Sequence, residues 1–166
     1  MNNKGFTLVE LIIVIALLAT IALLSTPNII RVIEKNKVDN YNETLDSIIE
    51  AAELYVSDNR YKLVFKDASG NNASCKPGDP DDKKIYSQTT LENLINYKYI
   101  SESVKNPCNE EEISPTTKID ITLNCKTKLF EYKINYASGT NLNTHATYTE
   151  SDGKIKEGNK CEDLYP

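Results

Sequence analysis

The pattern of apolar and polar positions divides the chain into two parts near Asn28. From Phe6 to Leu24 the sequence reads FTLVELIIVIALLATIALL, 19 residues with one charge, at Glu10. As a helix this run spans roughly 28 Å, close to the thickness of the hydrocarbon core of a bilayer. Everything after Asn28 is polar and mixed. The pattern therefore predicts an apolar N-terminal helix followed by a region of ordinary globular composition.

A second helical pattern resumes soon after Pro27. Apolar residues recur at spacings of three and four, and charged or polar residues fill the other faces. We therefore predict one helix from about Phe6 to about Asp58, bent near Pro27 and roughly 80 Å long. Its second half should pack on a sheet; a solvent-exposed coiled coil is the weaker alternative because the heptad run is short. The apolar stripe consists of Val38, Tyr41, Leu45, Ile48, Ala52 and Tyr55.

The middle of the chain is rich in turn-forming residues. Residues 59–86 are predicted to be irregular apart from a short strand at 61–65. The acidic run Asp79, Asp81 and Asp82 would suit calcium, but it lacks EF-hand spacing and a distal glutamate, so a solvated loop is favoured. A capping box at residues 89–92 predicts a short helix from about Thr90 to Tyr97. A turn is predicted at 106–108.

The last third alternates between apolar and polar residues, which is typical of half-buried antiparallel strands. Residues 118–123 and 130–136 form two such strands, and residues 124–128 are predicted to join them as a hairpin. A third strand is predicted at 145–149, followed by a turn at 151–153 and a short strand at 154–155. His145, the single histidine, is interpreted as an ordinary strand residue. The predicted fold class is α+β.

Composition excludes several functions. A formal net charge of −5 and a pI near 5.0 argue against direct nucleic-acid binding, which needs a surplus of Lys and Arg. One histidine argues against a Ser-His-Asp triad or a multi-histidine metal site. The four cysteines form no C-x-x-C pair, which excludes a zinc ribbon. We predict no catalytic residues, no metal and no cofactor.

The charge within the apolar run separates three interpretations of that run. A carboxylate buried without a partner costs roughly 2.5–3.5 kcal/mol on insertion scales. Neither a secretory signal peptide nor a plain membrane anchor gains anything from Glu10. The third interpretation rests on a family resemblance of the residues around Glu10, which would give this charge a partner.

The segment Lys4-Gly5-Phe6-Thr7-Leu8-Val9-Glu10 resembles the leader and mature start of type IV pilins and pseudopilins. The resemblance covers about 30 residues and implies cleavage between Gly5 and Phe6, with N-methylation of Phe6. Glu10 then becomes the fifth mature residue, and Pro27 the twenty-second, where many of these proteins have a proline. In the family the glutamate is thought to pair with the N-terminus of a neighbouring subunit. The implied fold is pilin-like, a long helix packed on a C-terminal antiparallel sheet.

The resemblance also implies a domain plan and partners. The plan is a leader at 1–5, an apolar transmembrane and assembly helix at 6–28, its amphipathic continuation at 29–58, and a globular domain at 59–166. The chain would be a single-pass membrane protein with its C-terminal domain outside, and later a subunit of a surface filament. The implied partners are a prepilin peptidase, sibling pilin subunits, an assembly ATPase with a platform protein, and membrane lipid before assembly. The function implied is structural and not enzymatic.

Two alternatives of other classes stay open. The first is a membrane-anchored extracellular binding domain that does not polymerise, in which case Glu10 would be dispensable. The second is a secreted enzyme behind a signal peptide, although no nucleophile–base pair or metal set is visible in the sequence.

The even number of cysteines on an exported domain predicts two disulfides. Cys75, Cys108, Cys125 and Cys161 allow three pairings. We favour Cys75–Cys108, which would close the irregular loop around the short helix, together with Cys125–Cys161, which would tie the C-terminal tail to the sheet. Free thiols are the alternative.

Overall fold

The protein is α+β, as predicted, with a long N-terminal helix and a three-stranded antiparallel sheet. The computed structural model describes residues 7–101, 103–135 and 154–163, and at 24–28 it describes the backbone alone. The described elements are helix α1 (Leu8–Asn59), strand β1 (Lys84–Thr90), helix α2 (Leu91–Asn96), strand β2 (Lys118–Asn124) and strand β3 (Phe130–Asn135), with 3-10 turns at Arg60–Lys62 and Cys161–Asp163. The chain divides into two compact units, Met1–Asn36 and Lys37–Pro166.

Helix α1 confirms the prediction of one helix through both apolar patterns. Its 52 residues are helical without interruption from Leu8 to Asn59, including position 27. The helix ends where Asn59 leaves the helical backbone conformation and the chain tightens into the 3-10 turn. The bend near Pro27 stays a prediction.

The sheet has the order β1-β2-β3 with both pairings antiparallel. Strands β2 and β3 and the hairpin between them are confirmed, with Leu123 opposite Phe130. The side chain of Asn124 accepts hydrogen bonds from the backbone N–H of Lys126 at 2.9 Å and of Thr127 at 3.0 Å. An asparagine that bonds its own following backbone in this way fixes a tight turn, and thereby the register of the two strands.

The core lies between the second half of helix α1 and the sheet, as predicted. Leu45 and Ile48 are 0% exposed, and so are Ile119 and Ile121 of β2. The same cluster takes in Tyr41, Ala52 and Tyr55 of the predicted stripe, Leu91 and Leu94 of α2, and Ile134 of β3, while Val38 packs at its edge. The helical period of 3.6 and the strand period of 2 thus bring two apolar faces together.

Strand β1 was not predicted, and one predicted strand is wrong. Residues 61–65 form no strand: 61 and 62 belong to the 3-10 turn, and 63–65 make no strand pairing. The neighbouring Lys66 makes isolated bridges to Asn72 and Tyr86. The sheet's third described strand is β1, whose register places Ile85 opposite Leu123. The predicted strand at 145–149, with His145, and the turn at 151–153 lie outside the described residues.

Helix α2 is confirmed, but its cap lies one residue later than predicted. Thr90, not Thr89, is the N-cap, and its hydroxyl accepts the backbone N–H of Asn93 at 3.3 Å. The C-terminal end is a Schellman motif, in which the N–H of Tyr99 bonds to the carbonyl of Leu94 and the N–H of Lys98 to that of Ile95. Lys98 occupies the left-handed position, with φ of 62°, where glycine is the usual residue.

The two disulfides exist, but the favoured pairing was wrong. The bridges are Cys75–Cys125 and Cys108–Cys161. The unpredicted strand β1 explains the difference: it pairs with β2, and the N–H of Cys125 bonds to the carbonyl of Lys83 just before β1. This brings the β2–β3 turn against the loop that carries Cys75. Cys161 is 4% exposed and lies in the main core, where it bonds to Cys108. The predicted turn at Asn106-Pro107-Cys108 is confirmed.

A C-terminal segment, residues 154–163, is fastened to helix α1. The side chain of Asn42 accepts the backbone N–H of Ile155 at 2.8 Å and donates to its carbonyl at 3.4 Å. Lys154 forms an ion pair with Asp46 at 2.7 Å. Ile155 is 4% exposed and belongs to the core cluster, and the amide of Asn42 bonds both of its backbone groups. The predicted short strand at 154–155 is reduced to a single bridge residue, Ile155.

Candidate functional site

The candidate site is the first part of helix α1, and a reciprocal capping box defines its start. The backbone N–H and the hydroxyl of Thr7 each donate to Oε2 of Glu10 at 2.8 Å. In return, the backbone N–H of Glu10 donates to Oγ1 of Thr7 at 3.3 Å. Glu10 therefore supplies a negative charge and a hydrogen-bond acceptor to the first turn, where the helix dipole favours both.

Sequence reasoning singled out Glu10 but missed Thr7. The signal was present as Thr7-Leu8-Val9-Glu10, the spacing of a capping box. The carboxylate thus has hydrogen-bond partners in the unprocessed chain as well. A later pairing with a cation would add to these contacts or replace them.

The surface of helix α1 on both sides of Glu10 is apolar and exposed. Leu8 is 74% exposed and Leu23 77%, and residues 11–30 contain no charged side chain. Soluble monomers rarely expose an apolar surface of this extent, and a helix that is apolar all round is normally enclosed by protein or lipid. The exposed large side chains are Leu8, Val9, Leu11, Ile12, Ile13, Val14, Ile15, Leu17, Leu18, Ile21, Leu23, Ile29, Ile30, Val32 and Ile33.

Within the part of the chain that the structure describes, no helix carries an apolar stretch long enough to cross a membrane.

The side chains of three other predicted site residues, Gly5, Phe6 and Pro27, are not among the described parts of the structure. Gly5 and Phe6, the predicted cleavage site, lie outside the described residues. Pro27 is described by its helical backbone only. Their roles therefore stay predictions.

Two carboxylates of the acidic loop at 79–82, those of Asp79 and Asp81, form ion pairs. Asp79 accepts the backbone N–H of Lys76 at 2.6 Å and pairs with Lys83 at 2.9 Å. The backbone bond, followed by the contact with Lys83, lowers the pKa of the Asp79 carboxyl. Asp81 pairs with Lys126. Among the described residues, no group of three or more His, Cys, Asp or Glu side chains is arranged to hold a metal ion.

An open groove of about 980 Å³ lies along the outer face of the sheet. Its walls include the polar residues Gln88, Asp120 and Thr122 together with the exposed ring of Tyr86. Asp120 is already a hydrogen-bond acceptor for Gln88. The groove is therefore a polar surface depression in which the described groups form no nucleophile–base pair.

Several tyrosines cluster where helix α1 ends. The ring of Tyr55 lies 5.5 Å from that of Tyr97 and 5.9 Å from that of Tyr99, centroid to centroid. The hydroxyl of Tyr99 donates to Asp58 at 2.7 Å, and this bond is the main reason why the pKa of Tyr99 is raised. These rings are engaged in packing between helix α1 and the segment after α2.

The comparisons with known proteins bear on the N-terminal segment alone. The family model of the prokaryotic N-terminal methylation motif matches residues 1–26. No curated protein and no solved structure matches the chain. The matched residues include Gly5, Phe6, the capping pair Thr7 and Glu10, and most of the exposed apolar surface. The N-terminus of this chain therefore carries the signature of the type IV pilins and pseudopilins.

Proposed function

We propose that the chain is a structural subunit of a type IV pilus or pseudopilus-like surface filament. The observation that carries the proposal is the exposed apolar surface of helix α1, most of which lies within the matched methylation motif. The motif accounts for the sequence at the cleavage site, and a filament core of packed helices accounts for the apolar surface. The globular unit from Lys37 onward would then coat the filament.

Processing is the first step of the proposed pathway. A prepilin peptidase cuts between Gly5 and Phe6 and methylates the new N-terminus, leaving a mature chain of 161 residues. Before assembly the apolar segment is held in membrane lipid as a single span, with the leader inside and the globular unit outside. An assembly ATPase and its platform protein then move the subunit among sibling pilins. The chain itself performs no catalysis in this scheme.

Glu10 has a specific place in assembly. Cleavage at Gly5 creates a cationic amine near a carboxylate whose described contacts are those with Thr7. In an apolar environment an ion pair between this carboxylate and the N-terminus of an adjacent subunit would fix the register of entry.

The test combines three variants of the full-length chain in the native host. Glu10→Ala should be cleaved normally, accumulate in the membrane and be absent from sheared filaments. Thr7→Val removes the capping hydroxyl but keeps the carboxylate, and should still assemble. Thr20→Ala, which loses only a bond to the carbonyl of Ala16, controls for altered polarity within the segment.

N-terminal mass analysis and quantitative incorporation relative to the major subunit provide the measurements. A mature N-terminus anywhere other than N-methyl-Phe6 would contradict the processing step. Assembly of Glu10→Ala at the wild-type level would exclude the proposed pairing. A wild-type chain that never enters filaments would favour the membrane-anchored binding domain instead.

A further inference from the structure

Helix α1 carries a row of carboxylates on the side away from the core. The helical period places the five residues of this acidic stripe within an arc of about 80°. That arc lies opposite Tyr41, Leu45 and Ile48, which face the sheet. The acidic stripe consists of Asp39, Glu43, Asp46, Glu50 and Glu53.

The stripe has little charge compensation within the described structure. Asp46 is paired with Lys154, but no described ion pair engages Asp39, Glu43 or Glu50, and all three are exposed. Successive members are three or four residues apart, so like charges adjoin along the helix, an arrangement that destabilises an isolated helix. A helix that retains such a row gains stability when cations from outside the subunit lie against it.

Two exposed cations occur earlier in the sequence of helix α1, in the first compact unit. Arg31 and Lys35 are exposed, are four residues apart and therefore share a helix face. No described ion pair engages either of them. They adjoin the exposed apolar side chains of Ile29, Ile30, Val32 and Ile33, where the proposed assembly surface ends.

We propose that the acidic stripe of one subunit docks against Arg31 and Lys35 of a second copy of this chain. The inference rests on the proposed filament function, because a filament sets identical helices side by side. The occupant is argued from charge complementarity and from continuity with the apolar assembly surface on the same helix. Complementary charges at such an interface fix register and suppress wrong pairings more than they add affinity.

The experiment is a charge swap in the full-length chain, with incorporation into sheared filaments as the readout. Glu43→Lys/Glu50→Lys should lower incorporation roughly tenfold, because attraction across the interface becomes repulsion. Arg31→Glu/Lys35→Glu should do the same. The quadruple variant, which restores opposite signs, should recover most of the wild-type level. Asp82→Lys/Glu157→Lys makes the same change in net charge on exposed loop positions and should assemble normally.

Membrane abundance, cleavage at Phe6 and disulfide formation are measured for every variant, so that a misfolded chain is recognised. The swap then identifies the occupant. If both double variants fail and the quadruple variant stays as low as they are, Arg31 and Lys35 contact something other than a second copy, such as lipid headgroups or a different pilin, and the proposal is overturned. Normal incorporation of Glu43→Lys/Glu50→Lys also overturns it while leaving the filament function intact. Absence of the wild-type chain from filaments would refute the proposed filament function itself.

Discussion

Replacing Asn42 by alanine removes the side chain that fastens the C-terminal segment to helix α1. Two hydrogen bonds to Ile155 are lost, one at 2.8 Å and one at 3.4 Å. Leaving a buried backbone group without a partner costs about 1–3 kcal/mol. Because Asn42 is only partly buried, we expect its replacement to lower the free energy of unfolding by about 2 kcal/mol. Asp46→Ala, which breaks the half-exposed ion pair with Lys154, should cost no more than about 1 kcal/mol.

Helix propensity opposes this effect and needs its own control. Alanine is the better helix former by up to about 0.7 kcal/mol, so Asn42→Ala gains some stability from the backbone. Asn40→Ala makes the same exchange at an exposed position of the same helix and should be neutral or slightly stabilising. The difference between the two variants isolates the contacts with Ile155.

The assay is guanidinium unfolding of the full-length protein in mild detergent, followed by near-ultraviolet circular dichroism of the tyrosines, since the chain has no tryptophan. The amide of Ile155 should also exchange faster with solvent in Asn42→Ala than in the wild type. Equal stability of Asn42→Ala and Asn40→Ala, with unchanged exchange at Ile155, would refute the reasoning.

Three further predictions concern other parts of the globular unit. Non-reducing peptide mapping should recover Cys75 linked to Cys125, and a Cys75–Cys108 peptide would contradict the structure. Lys98→Gly should raise the free energy of unfolding by about 0.5–1 kcal/mol, because glycine adopts the left-handed conformation without strain; an unchanged denaturation midpoint would count against this. Burial, with a smaller effect of the Glu53 carboxylate, raises the pKa of Tyr132 to about 12 from 10.0. The folded state therefore holds this proton more tightly, and its stability is full below pH 10.0 and declines toward about pH 12. An ultraviolet difference titration against Tyr132→Phe checks this, and ionisation at the value of free tyrosine would contradict it.

The elements that were predicted correctly are those whose burial pattern is strongly periodic. Ile119, Ile121 and Leu123 alternate with polar residues, and the structure buries all three. The stripe of helix α1 is equally regular. In both cases a single physical requirement, one apolar face against one core, fixes the element without knowledge of its neighbours.

Strand β1 lacks such a pattern, since Ile85 is its one aliphatic residue and it follows a loop rich in Pro, Gly and Asp. Its pairing with β2 comes from tertiary contacts, which local sequence does not encode. The error in strand assignment led to the error in disulfide pairing. Without β1, nothing predicts that Cys125 lies near Cys75, and the pairing that would close the irregular loop around the short helix is favoured instead.

For the candidate site, the motif at Gly5-Phe6 and the isolated charge of Glu10 were both readable in the sequence. The acidic stripe was partly readable, because its members were recognised as the polar side of an amphipathic helix. The sequence did not show that Asp39, Glu43 and Glu50 have no ion pair among the described residues, because that depends on where Lys154 and the other cations lie in the folded chain. The capping partner Thr7 was readable and missed.

The two disulfides interleave along the chain, and in the proposed topology this has a consequence for the order of events during export. A globular unit exported behind an N-terminal membrane segment would cross the membrane from its N-terminal end, so Cys75 and Cys108 would arrive before the partner of either. The first two thiols to meet an oxidant are therefore a pair that the native protein does not link. Either β1 and β2 associate before oxidation, or a first bridge forms wrongly and is corrected by thiol–disulfide exchange. If the globular unit is exported as proposed, the host needs an oxidising surface that still permits exchange, and the yield of correctly bridged protein should depend on the presence of an isomerase more than on the strength of the oxidant.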